Sequence, residues 1–177
     1  MPYVNLNHFS PHQRYKIVKL KKDLKAATSY QEWKYIALAL DQATGLEHWK
    51  YDNVSPYYGY TFIAQRLTRI RYLRRSDQQL ELAQYLREGL HHDLANIAHP
   101  LLYSQTFVGT KKLIEDYITT VSAAFEYIAS NECTVFNLEE KIQYFEGASQ
   151  AYGQPAVMFS GGATLGLFHT GVCKALT

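Results

Sequence analysis

Between Lys111 and Ser130 the apolar residues Ile114, Tyr117, Ile118, Val121, Phe125 and Ile128 recur at intervals of three and four. An α-helix gathers that spacing onto one stripe, so the segment reads as a core helix with a single buried face. Such a stripe needs apolar partners, and the chain up to about residue 151 offers them in the same form. Residues 11–27 set Ile17, Leu20 and Leu24 on a narrow stripe among Lys16, Lys19, Lys21, Lys22 and Lys25, a basic amphipathic helix. Ser29, with Glu32 three residues on, predicts a capping box; Trp33, Ile36, Ala37 and Leu40 form the stripe that follows, and Gly45 ends it. The polar and aromatic stretch from Leu46 to Gly59, punctuated by Pro56, reads as a loop.

Helical spacing resumes with Phe62, Ile63, Leu67, Ile70 and Leu73. Ser76 and Gln79 predict a second capping box, opening a helix striped by Leu80, Ala83, Leu86 and Leu90. After an irregular segment closed by Pro100, Asn137 and Glu140 mark a last start, with Ile142, Phe145 and Tyr152 as its apolar face up to Gly153.

The texture then changes. Pro155 to Phe159 is an apolar run too short for a helix, followed by Ser160-Gly161-Gly162-Ala163-Thr164-Leu165-Gly166 and a return to helical spacing at Phe168, Val172, Ala175 and Leu176. Strand, glycine loop and helix in that order open a parallel α/β sheet. Free N–H groups at a helix start, reached closely because glycine has no side chain, suit an anion or an oxyanion. A nucleotide phosphate loop is excluded, because Leu167 and Phe168 stand where Lys and Ser or Thr are required. Three readings stay open on the pattern alone: a dinucleotide-binding turn lacking its middle glycine, the oxyanion loop of an acyl hydrolase, and a tight packing turn.

Composition narrows the setting. A net charge of +2 is too balanced for a nucleic-acid partner. Cys133 and Cys173 lack the spacing of a zinc site or a disulfide framework, which suits a reducing compartment. Met1 to Ser10 lacks the apolar run of a signal peptide and no uninterrupted apolar stretch is long enough to span a bilayer, so membrane contact is expected to be peripheral.

The segment from Ser160 to Val172 resembles the glycine loop and first helix of patatin-like lipases, in the branch of triacylglycerol lipases. Upstream, Ser29 to Trp33, Asp52 to Tyr58, Leu86 to Ile97 and Leu138 to Lys141 resemble the helical domain that precedes the patatin domain there. The resemblance implies a mainly α chain in three parts: a basic amphipathic lead-in at 1–28, a helical domain at 29–153, and the first strand, glycine loop and helix of a patatin-type α/β/α fold at 154–177. It also implies hydrolysis of acyl esters of neutral lipid or phospholipid, no cofactor and no metal, and an intracellular setting at a peripheral membrane or lipid-droplet surface.

Gly161, Gly162, Ala163 and Gly166 would form the oxyanion loop. The family's Ser-Asp dyad is expected downstream of Thr177, so this chain by itself is expected to be inactive. Ala163 and Leu165 stand where the wider family has a glycine and a basic residue. Ser149 sits in a near-GxSxG whose last glycine is Ala151, on a helical rather than a strand pattern, and reads as a surface residue. His91, His92, Asp93 and His99 read as structural or surface groups rather than a metal cluster, and His169 as a packing residue. Lys19 and Lys22 in the first helix, and Arg66 and Arg69 in the arginine run, are candidates for contact with an anionic lipid surface, against the plainer reading of a solvated helix face.

Overall fold

The computed structural model describes residue 2, residues 4–91 and 93–153, and residues 171 and 174. The expected strand and glycine loop, and the helix after them apart from Gly171 and Lys174, lie outside the described residues. Within them the chain is helical: α1 (Pro11–Ala26), α2 (Tyr30–Thr44), α3 (Glu47–Tyr51), α4 (Tyr60–Arg75), α5 (Gln79–Glu88), α6 (Lys112–Ala129) and α7 (Leu138–Tyr152), with 3-10 turns at Leu6–His8, Leu94–Asn96 and Pro100–Leu102.

Local chemistry sets most of the boundaries. Ser10 and Gln13 form a reciprocal capping box at the start of α1, with Pro11 as the first helical residue. Asn137 and Glu140 do the same for α7. Gly45 ends α2 in the left-handed conformation at φ 74°, which costs glycine nothing. Two expected caps take another form. Ser29 accepts the Glu32 N–H at 3.2 Å, but the Glu32 carboxylate reaches past Ser29 to the Thr28 N–H at 3.0 Å. Ser76 instead closes α4, donating its N–H to the Tyr72 carbonyl. Gln79 is thereby released for distant work: its amide donates to the Asp77 carboxylate at 2.9 Å and accepts the N–H groups of Thr134 and Val135 at 2.9 and 3.1 Å.

The stretch from Leu46 to Gly59, expected as a loop, contains α3. Five residues do not make a stable helix in isolation. Here α3 is held from outside, by Lys50 reaching back to Asp41 and by the Lys111 ammonium stacked on the Trp49 ring.

Two apolar cores form. In one, α1 and α2 pair as a hairpin around Ile17, Leu24, Ile36, Ala37 and Leu40, and Phe107 enters from the long connection before α6. In the other, α4, α5 and α6 surround Ile63, Leu67, Ile70, Leu82, Leu86, Ile114 and Ile128, with Tyr144 of α7 inserted. In α4, α5, α6 and α7 part of the expected stripe lies outside. Phe62, Leu80 and Ile118 are exposed, and α5 buries Leu82 rather than Leu80. In α7 the inward residues are Tyr144 and Ala148, while Leu138 and Ile142 are 75% and 51% exposed. Helical spacing identifies an apolar sector, but the neighbours decide which edge of it is covered.

Candidate functional site

The two cores meet across a buried polar seam. Asp41, on α2 and 1% exposed, accepts the Lys50 ammonium at 2.8 Å, the Phe107 N–H at 2.8 Å and the Val108 N–H at 3.4 Å. Lys111, also 1% exposed, donates to the carbonyls of Trp49 and Asp52 at 2.8 and 2.7 Å and lies 3.9 Å from the Trp49 ring centre. Burial pulls the Lys111 ammonium below the ordinary lysine range, and the Asp52 carboxylate partly opposes the shift. Thr110 donates its hydroxyl to the Leu102 carbonyl at 2.6 Å and its N–H to Glu115 at 3.1 Å. All of these hydrogen bonds except the Lys50–Asp41 pair have a backbone group at one end. The seam therefore positions α2, α3 and α6 against one another. None of its members was singled out by sequence, because bonds spanning more than sixty residues leave no periodic trace.

The residues expected to do chemistry divide by location. Gly161, Gly162, Ala163 and Gly166, with Ser160, His169 and His92, lie outside the described residues. Ser149 is exposed on α7. Asp93 accepts the Ala98 N–H at 2.9 Å, and His99 accepts the Leu101 N–H at 3.2 Å while stacking on Tyr57. These two are turn-building groups, and no set of three or more potential metal ligands gathers among the described residues.

The surface cations also separate. Arg66 is turned inward, 6% exposed, with Nη2 donating to the Tyr85 carbonyl at 2.7 Å and the guanidinium 4.1 Å from the Tyr85 ring centre. Gly89 makes that possible, since a β-carbon there would collide with the guanidinium. Arg66 is therefore a core cation and not a surface one. Arg69 is exposed but paired with Glu81 at 3.1 Å and set over the Tyr72 ring. Lys19 and Lys22 stand on the open side of α1.

Beside that helix is a groove of about 430 Å³. Leu24, Phe107, Val18 and Pro2 form its apolar lining and Lys21, Lys22 and Lys25 its cationic part. It can take a ligand with an anionic head next to apolar atoms. Among the described residues, no carboxylate lines it.

A family described as "Domain of unknown function (DUF3336)" matches residues 11–150, from α1 to α7. Triacylglycerol lipase ptl2 of Schizosaccharomyces pombe is 33% identical over 174 residues, covering 98% of this chain and 27% of that protein. Triacylglycerol lipase ptl1 of the same yeast is 29% identical, covering 90% of this chain and 28% of that protein. A patatin-like phospholipase domain-containing protein of Cryptococcus neoformans var. neoformans is 33% identical, covering 89% of this chain and 18% of that protein. The chain thus spans about a quarter or less of these relatives' lengths. No solved structure matches it. With a helical region that fits one family description over nearly all its length, the chain belongs to the patatin-like phospholipase and triacylglycerol lipase family that carries the DUF3336 domain.

Proposed function

We propose that this chain is the N-terminal part of a lipid acyl hydrolase, a helical domain followed by the first strand and oxyanion loop, acting on acyl esters at a lipid surface. The observation that carries this reading is the similarity to a triacylglycerol lipase over 98% of the chain, an extent that requires the match to enter the glycine-rich segment as well as the helices. The relatives' names favour an oxyanion loop over a dinucleotide-binding turn for Gly161, Gly162, Ala163 and Gly166. Backbone N–H groups there would receive the charge of the tetrahedral intermediate. The serine nucleophile and its aspartate partner belong to sequence beyond these residues, and the buried seam around Asp41 and Lys111 holds the helices of this region against one another.

The test uses the full-length protein on emulsified triacylglycerol and on a soluble short-chain p-nitrophenyl ester. Gly162→Val keeps its N–H but puts a branched side chain against the backbone donors, and misplacing them is expected to lower kcat on both substrates by up to the cost of losing one donor, about 10²–10³, with KM little changed. Residues 1–177 alone are expected to give no turnover. Turnover by that chain alone, or full activity in Gly162→Val, would overturn the assignment.

A further inference from the structure

We propose that the open face of α1 and the groove beside it form a docking site for anionic phospholipid headgroups of a membrane surface. In α1, Ile17 and Leu24 point into the core. At 3.6 residues per turn, Tyr15, Lys19 and Lys22 fall on the opposite side and Val18 and Lys25 on the flank next to it. Tyr15 and Val18 are 71% and 54% exposed there, large apolar surface kept among three lysines. Asp23, the one acidic residue of α1, falls outside this sector. The groove extends the face inward, bringing Lys21 to the same rim over Leu24 and Phe107.

Charge pairing separates this surface from part of the remaining basic surface, while Arg71 and Arg75 of α4 are exposed and, among the described residues, likewise pair with no carboxylate. Lys50, Arg69 and Lys112 are matched to Asp41, Glu81 and Asp116, and Arg66 is inside. Among the described residues, Lys19, Lys21, Lys22 and Lys25 pair with no carboxylate. Unpaired lysines alone describe a solvated helix. Lysines interleaved with an exposed tyrosine and valine, beside an apolar-floored groove, fit a headgroup region, where phosphates meet the cations and apolar side chains reach the acyl boundary. Nucleic acid would use the charges and leave Val18, Leu24 and Phe107 without a role. Each lysine near an anionic leaflet strengthens partition about fivefold.

The site rests on the lipid-surface reading above only for its setting. The experiment is flotation of residues 1–177 with vesicles of phosphatidylcholine, and of phosphatidylcholine with phosphatidylserine at four to one. Binding to the serine-containing vesicles, weakened by raised salt, is expected. Lys22→Glu with Lys25→Glu should reduce partition more than about 25-fold, and Val18→Glu should also weaken it. Lys34→Glu, on α2, should change it little. Both substituted lysines are exposed, so a native circular dichroism spectrum is expected; if the pair fails to fold, the salt dependence and Val18→Glu decide. Absence of binding to the serine-containing vesicles overturns the proposal, as does binding indifferent to the lysine pair in folded protein or to salt. Hydrolysis of the soluble ester by the full-length protein should be unchanged by the lysine pair, which keeps failure of docking distinct from failure of the hydrolase assignment.

Discussion

Asp41 and Lys50 meet at 2.8 Å, both nearly sealed from solvent, and the same carboxylate receives the Phe107 N–H from the other side. One side chain thus ties α2 to α3 and to the connection that seats Phe107 in the first core. Asp41→Ala would leave a buried ammonium and a buried amide without their acceptor. A loss of about 3–5 kcal/mol is expected in urea unfolding. Asp41→Leu combined with Lys50→Met should cost clearly less than Asp41→Ala, because no buried charge is then left unmatched.

Arg66 and Gly89 form a second coupled pair. Gly89→Ala forces the guanidinium away from the Tyr85 carbonyl, and a loss of about 1–3 kcal/mol is expected from the overpacking. The same substitution in an Arg66→Met background should cost much less. Equal losses in both backgrounds, measured by denaturant titration, would count against this steric account.

The two faces of α7 should respond in opposite ways. Ile142→Gln and Leu138→Gln are expected to change stability by no more than about 0.5 kcal/mol in this chain. Tyr144→Ala should cost about 3 kcal/mol or more. Tyr144 stacks on Phe136 with ring centres 5.9 Å apart and donates its hydroxyl to the Ala83 carbonyl at 2.8 Å. Thermal unfolding of the three variants compares the faces directly.

Alkaline pH should loosen the fold through two tyrosines. Burial pushes Tyr144 up to about 12, and burial with the Asp52 charge nearby does the same to Tyr58. A raised folded pKa means the protonated phenol is favoured in the fold. Its contribution is complete below about pH 10 and is lost as pH climbs toward 12. Lys111 works the other way: its lowered value makes stability rise with pH up to about 10.5, the unfolded lysine value. Unfolding free energies at pH 9, 10 and 11 should therefore fall at the alkaline end, and less steeply in Tyr144→Phe.

The helices were legible because their causes are local. Residues 111–130 show their period outright, Asn137 with Glu140 spells a reciprocal cap, and Gly45 supplies the left-handed stop. Where sequence reasoning erred, a distant partner had intervened. α3 has no stabilising pattern of its own and exists through Asp41 and Lys111. Gln79 has the spacing of a cap residue after Ser76, yet its amide serves Asp77, Thr134 and Val135. Arg66 looked like one more cation on a basic helix, and only the space left by Gly89 beside Tyr85 takes it inside.

By itself the sequence determined the family, through a DUF3336 match that runs from residue 11 to 150, and the helical character of that stretch, since caps and periods depend on residues close together along the chain. The tertiary structure alone decided which edge of each apolar stripe is buried, which cations remain available at the surface, and that Asp41, Lys50 and Lys111 form one seam. Burial and charge pairing are properties of what lies across a gap in space, and a one-dimensional pattern does not carry that information.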